Sequence, residues 1–195
     1  AARKAFFRAH AAATQARLYN HPCVVGYTIF NEGWGQFDAD AQYRACRAAD
    51  PTRFYDATSG WFAQKESDVE SLHVYFRSRP LRAKRRPLLL SECGGYARPV
   101  EGHLFRPDAG FGYGTAQTEQ ALTDRIERLY WEMVLPSIPR GLCGSVYTQL
   151  SDVEEEVNGL YTMDRAVCKA DEARLRRLAQ ALYREMARVT EHEEK

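Results

Sequence analysis

Two textures alternate along the chain: short runs rich in β-branched and aromatic residues, and longer stretches with apolar residues at helical spacing. Arg3 to Tyr19 is alanine-rich and free of Gly and Pro, which predicts a helix with a rough apolar face of Phe6, Phe7, Ala13 and Leu18. Asn20-His21-Pro22 ends it, because proline disfavours helix at the residue before it. Val24 to Phe30 is apolar on both faces and predicts a strand buried on both sides. Asp38 is placed to cap a helix through about Ala49, and Asp50-Pro51 breaks it. Arg53 to Thr58 predicts a short strand, followed by a Ser59-Gly60-Trp61-Phe62 loop.

Ser71 to Phe76 and Leu88 to Ser91 predict two further strands. The basic run between them, Arg77 to Arg86, is short for a parallel crossover, which takes a dozen residues or more. It therefore predicts an irregular connection, and a solvated face is a simpler role for it than an anion site. Cys93 to Gln117 is a long loop rich in Gly, Pro and aromatics, of the kind that usually carries function. Thr118 caps a helix to about Leu135, with Ile126, Leu129, Tyr130 and Met133 on one side and Pro136 and Pro139 closing it. Gly144 to Leu150 predicts a fifth strand and Ser151 to Glu156 an acidic turn. Asp171 caps a last helix with Leu175, Leu178, Leu182 and Met186 on its apolar side, and the tail from Glu191 is charged and expected to fray. Strands alternating with helices or long crossovers predict an α/β fold with a parallel sheet. No internal repeat or linker marks a second domain, so residues 1–195 read as one domain.

Composition narrows the function classes. An apolar fraction of 45%, a charged fraction of 27% and a net charge of +1 are those of an ordinary globular protein and argue against nucleic acid or a membrane surface as partner. No apolar run approaches the roughly 20 residues that span a bilayer, and Ala1 to Arg8 lacks the apolar core of a secretory leader. The five cysteines are odd in number and form no C-x-x-C, which favours buried thiols, so the expected compartment is the cytoplasm. Cys93, next to Glu92, is a candidate reactive thiol. The five histidines show no metal-ligand spacing, so neither a metal nor another cofactor is expected. The absent initiator Met is consistent with a fragment or a processed product.

Candidate chemistry lies where two apolar runs stop. V-V-G-Y-T-I-F stops at Asn31-Glu32-Gly33, and L-L-L stops at Ser91-Glu92, followed by Gly94-Gly95. Each puts a carboxylate at a strand end beside glycines that let backbone approach a ligand. Alone, either glutamate could cap a helix or face water. Together, two carboxylates on the rim of one parallel sheet suit hydrolysis of a glycosidic bond.

Five motifs, in this order, resemble the catalytic half of glycoside hydrolase family 2, which includes β-galactosidases, β-glucuronidases and β-mannosidases. They are N-H-P-C-V-V-G-Y-T-I-F-N-E-G-W-G (Asn20 to Gly35), D-P-T-R (Asp50 to Arg53), S-L-H-V-Y-F (Ser71 to Phe76), S-E-C-G-G (Ser91 to Gly95) and the stretch from Gly144 to Arg165. The resemblance covers nearly the whole chain. It implies part of a (β/α)8 TIM barrel, from about strand four to strand eight, and a single catalytic-barrel domain or a fragment of one. It implies Glu32 as general acid/base and Glu92 as nucleophile. It places Tyr75 where a tyrosine hydrogen-bonds the nucleophile, and Asn31 and His73 where side chains line the sugar. His73 alone would read as a satisfied core histidine. Trp34, Trp61 and Tyr147 are candidates to stack on sugar faces, and are equally explained as core or rim aromatics.

The implied reaction is that of a retaining β-glycosidase. Its carboxyl groups sit about 5–5.5 Å apart, and repulsion and partial burial would raise the acid's pKa. Two departures from the family follow. A barrel needs eight strands and five are predicted here, so a second copy covering the open edges is a possible partner besides the carbohydrate. β-Glucuronidases carry Asn-x-Lys for the sugar carboxylate, whereas the matching stretch here is Glu156-Val157-Asn158. The expectation is therefore a neutral sugar, β-galactosidase-like first. The rival expectation is a catalytically silent half-barrel that binds glycan or self-associates.

Overall fold

The structure is a computed structural model and describes residues 1–193. The elements are α1 (Ala2–Leu18), β1 (Gly26–Thr28), α2 (Ala39–Ala49), β2 (Phe54–Asp56), β3 (Glu70–Val74), β4 (Leu88–Gly94), α3 (Glu119–Leu129), α4 (Leu135–Ser137), β5 (Leu142–Thr148) and α5 (Glu172–Glu193). β1 and β2 form one sheet and β3-β4-β5 another, so the chain is a mixed α/β protein with parallel sheets, compatible with part of a barrel. It divides into two compact units, Ala1–His73 with Lys84–Leu89, and Val74–Ala83 with the residues from Leu90 onward.

In the first unit, β1 and β2 pair in parallel with Gly26 opposite Phe54, Tyr27 opposite Tyr55 and Thr28 opposite Asp56. The Phe54 ring occupies the space a Cβ on Gly26 would need. β1 is shorter than predicted and is not buried on both sides: Val25 is 65% exposed. The reason is that β1 has one strand neighbour, β2, among the described residues. α1 does not bury the face its apolar residues suggest. Phe6 points outward, while Phe7 stacks on Phe30 at 5.0 Å and meets Phe37 edge-on at 5.4 Å. Gln15 is buried instead, donating to Tyr55 Oη (2.8 Å) and Cys46 O (2.9 Å). Asp38 precedes α2 but makes no side-chain cap bond, because its carboxylate pairs with Arg8 (3.3 Å) and Lys4 (3.5 Å).

In the second unit, Thr118 accepts a hydrogen bond from Ala121 N at 3.1 Å and starts α3. Ile126, Leu129, Tyr130 and Met133 are buried on one side, as the spacing predicts, and Leu122 extends the stripe. The prolines do not close this helix. It continues through a π-helical turn, α4 and a 3₁₀ turn to Arg140. Pro136 and Pro139 sit at first-turn positions of short segments, where a missing N–H costs little. Gly141, with φ 93°, ends the run. Asp171 caps α5 by accepting from Arg174 N at 3.0 Å. α5 stays helical to Glu193, so the expected fraying does not begin at Glu191; Glu194 and Lys195 lie outside the described residues.

Lys169 is the largest charged group in this unit's interior. Its ammonium donates to Asp152 Oδ1 (2.6 Å), Val157 O (2.8 Å) and Arg98 O (3.0 Å). It thus ties the loop after β5 to the loop after β4. The acidic turn therefore buries one of its members, Asp152. The basic stretch from Arg77 is irregular, as its length requires. Among the described residues no helix is long and apolar enough to cross a membrane.

Candidate active site

Glu32 does not end β1. The strand stops at Thr28, and the pairing continues irregularly: Ile29 N donates to Asp56 O (2.9 Å), Ser59 N to Phe30 O (2.7 Å) and Glu32 N to Ser59 O (3.0 Å). Glu32 itself adopts a left-handed backbone, φ 52°, a conformation that costs a non-glycine residue energy and gathers at functional sites. Its carboxylate Oε1 lies 2.7 Å from His73 Nδ1, and His73 Nε2 lies 3.0 Å from Ser59 Oγ. The His73 side chain is fully buried. Gly60 is required beside it, since a Cβ there would fall 2.5 Å from the imidazole and φ is +83°.

This chain of groups accommodates both protonation states of Glu32. With Glu32 ionised, Nδ1–H donates to the carboxylate and Nε2 accepts from the Ser59 hydroxyl. With Glu32 protonated, the carboxyl donates to Nδ1 and Nε2–H donates to Ser59. Behind Ser59, its Oγ lies 3.3 Å from Ser71 Oγ. Asp56 is buried beside them, and burial raises its carboxyl above the usual range, opposed by the Ser71 and Ser59 hydroxyls.

Glu92 lies inside β4, two residues before its end, not after it. Tyr75 donates its phenol to Glu92 Oε2 at 2.5 Å and contacts Thr148 Oγ1 at 3.3 Å. Burial, and then the hydrogen bond to Glu92, hold the Tyr75 phenol in its protonated form well above the usual range. Tyr113, from the Gly110–Gly114 loop, stacks on Tyr75 with ring centroids 3.9 Å apart. Gly95 makes room for the stack, since a Cβ there would lie 2.6 Å from Tyr113 and 3.1 Å from Tyr75. Phe76 and Phe111 meet the Tyr113 ring edge-on and are exposed. The arrangement holds one carboxylate in a fixed orientation beside an aromatic ledge.

No protein-family model matches this chain, and no curated protein matches it. The fold is shared with carbohydrate-active enzymes of known structure. A β-D-glucuronidase from Dictyoglomus thermophilum matches 89% of the chain with a TM-score of 0.61 at 18% identity. A β-glucuronidase from an uncultured Clostridium sp. matches 90% with a TM-score of 0.59 at 16% identity. An agarase matches 76%, covering 26% of its own length, with a TM-score of 0.55 at 16% identity. The chain spans about a third of the length of the two glucuronidases, 35% and 36%.

The remaining candidates divide. Trp61 lies 6.3 Å from the His73 ring, centroid to centroid, and is half exposed. Asn31 is exposed and bridges to Ser59 through its backbone. Trp34 is 81% exposed on the turn after Glu32. Tyr147 is not brought together with Tyr75 and Glu92. It packs over Gly94, its hydroxyl is buried, and Tyr96, Cys93 and Tyr130 surround it. Its neighbour Thr148, on the opposite face of β5, is the one that reaches Tyr75. Ser59, Asp56, Tyr113 and Thr148 were not singled out by the motifs. Only the G-F-G-Y-G loop carried a signal, its length. Cys93 is fully buried, with its thiol pushed up to about 12 by burial, so it is not a reactive thiol.

Proposed function

We propose that this chain is the catalytic-barrel region of a retaining β-glycosidase, acting on a β-linked neutral sugar, galactose first. Glu92 is the nucleophile and Glu32 the general acid/base. Glu92 attacks the anomeric carbon while Glu32 protonates the leaving oxygen. Glu32 then deprotonates the water that releases the sugar from Glu92. The observation that carries this reading is the Tyr75–Glu92 hydrogen bond, a phenol held protonated against the carboxylate that must attack in one fixed orientation. The Glu32–His73–Ser59 chain supports the other role, since a group that gives and regains a proton needs partners for both states. The shared fold with glucuronidases and an agarase agrees with it.

Two observations support a neutral sugar. The stretch matching the glucuronidase Asn-x-Lys carries a carboxylate, Glu156, which accepts from Gln149 Nε2 at 2.8 Å and from Asn158 Nδ2 at 3.2 Å. The ammonium nearest in sequence beyond it, Lys169, is buried and already holds three acceptors. The test is hydrolysis of 4-nitrophenyl β-D-galactoside and β-D-glucuronide by the wild type, Glu92→Gln and Glu32→Gln. Turnover of the galactoside, lost in both variants, is expected. Turnover that survives in either variant overturns the assignment.

A second reading is a catalytically silent half-barrel that self-associates or binds glycan. The exposure of Val25 beside β1 (65%) and of Val146 on β5 (52%) favours it. A concentration-dependent dimer without hydrolysis would select it.

A further inference from the structure

The basic stretch after Arg77 is not fully accounted for by a solvated face. In the first unit its last three members, Lys84, Arg85 and Arg86, line a cleft of about 620 Å³ together with Lys65, Glu70 and Gln64. That volume is in the range of small-molecule sites, about 300–1,000 Å³. Four cations thus converge on one cavity against one carboxylate. Lys84 Nζ is 3.4 Å from Glu70 Oε1, a loose pair. The Arg86 guanidinium donates to Lys65 O and so joins the two walls. Lys65 and Arg85 are exposed, and their side chains make no hydrogen bond or ion pair among the described residues. Converging like charges repel one another, and an anion in the cleft removes that repulsion.

We propose that this cleft binds a sugar bearing a phosphate or sulfate ester. An arginine fork matches such an oxyanion in a way that a neutral sugar cannot exploit. The rest of the lining suits a polyol. Thr58 and Ser71 supply hydroxyls, Gln64 an amide, and Val69 a short apolar strip. Ser71 is also the residue whose hydroxyl adjoins Ser59, itself in contact with His73. The cleft is therefore connected by side chains to the surroundings of Glu32, yet its existence does not depend on Glu32 being catalytic.

The test is isothermal titration calorimetry on the whole chain at low salt with glucose 6-phosphate, glucose 6-sulfate, glucose and inorganic phosphate. One or both esters are expected to bind with Kd below about 1 mM, a modest affinity of the order of −4 kcal/mol. Lys65→Gln combined with Arg85→Gln should weaken that binding at least about tenfold, the scale of a lost charge-assisted bond. Both residues are on the surface, so circular dichroism should be unchanged. Arg77→Gln combined with Arg79→Gln, in the same basic run but outside the cleft, should leave affinity within about twofold. The proposal is overturned if neither ester binds, if glucose or inorganic phosphate binds as tightly as the esters, or if the two double variants weaken binding equally. None of these outcomes depends on glycosidase activity.

Discussion

Tyr75 and Glu92 are joined by a 2.5 Å hydrogen bond in which the phenol donates to carboxylate Oε2. The two residues come from different strands, or just beyond one, and are 17 positions apart in the chain. Tyr75 has a second contact, Thr148 Oγ1, which keeps the phenol aimed at Glu92. Tyr75→Phe keeps the ring and its packing and removes only the donor. A lost hydrogen bond to a charged group is worth about 1.5–3 kcal/mol, so kcat on a chromogenic β-galactoside should fall about 10- to 100-fold with the thermal midpoint little changed. An unaltered kcat would remove Tyr75 from the mechanism.

In the proposed mechanism Tyr113, stacked on Tyr75, is a positioning residue that acts on Glu92 through Tyr75. A stacked aromatic pair is worth about 0.5–1.5 kcal/mol beyond its buried area. Tyr113→Ala should therefore lower kcat between about twofold and tenfold and shift the pH–rate profile with it, while Tyr113→Phe restores both. If the phenylalanine variant behaves like the alanine one, the hydroxyl and not the stack is what matters.

The Lys169–Asp152 pair should be the costliest polar contact to break. Burial lowers the ammonium's pKa and raises the carboxyl's, and their mutual hydrogen bond opposes both shifts. Lys169→Met leaves Asp152, Val157 O and Arg98 O without their cation. The expected loss is about 3–5 kcal/mol, or roughly 2–4 °C in Tm per kcal/mol for a chain of this size. Adding Asp152→Asn should recover part of it, because a neutral amide is cheaper to bury than an unpaired carboxylate. Urea unfolding of the two variants measures the difference. Equal stabilities of single and double variants would contradict a buried charge pair.

Asp56 gives a pH signature of the opposite sense to most acidic groups. Its folded pKa is raised, with burial the main cause. A raised carboxyl stabilises fully below its unfolded value of about 3.9, and that contribution is lost as pH rises through the folded value. Thermal unfolding of the wild type should therefore lose ground against Asp56→Asn as pH rises above about 4. Parallel curves for the two proteins would show that Asp56 titrates as it does when unfolded.

Much of this was legible because local chemistry announced it. The apolar stripe of α3, the Thr118 and Asp171 caps, and the glycines beside Glu32 and Glu92 all follow from residue types at short spacing. What stayed hidden depends on partners far along the chain. Strand ends were misplaced because an apolar run does not reveal where pairing stops: β4 carries on past Ser91 through Glu92 to Gly94, and β1 is cut to three residues although Val24 and Val25 precede it. Tyr147 and Thr148 show the sharper case. Strand side chains alternate, so Tyr147, a candidate to stack on a sugar face or to serve as a core or rim aromatic, packs over Gly94 while its neighbour Thr148 reaches Tyr75. Gln15 and Lys169 were unreadable for a related reason. A polar residue is expected outside until a partner 40 or 17 positions away satisfies it.

The central claim is that Glu92 forms a covalent bond to the sugar. The most direct measurement is intact mass and peptide mapping after incubation with 2,4-dinitrophenyl 2-deoxy-2-fluoro-β-D-galactoside, whose fluorine slows breakdown of a glycosyl-enzyme. The account predicts one added fluorosugar, on the peptide containing Glu92, and no adduct in Glu92→Gln. A chain that stays unlabelled, or that carries the sugar on another residue, would contradict it.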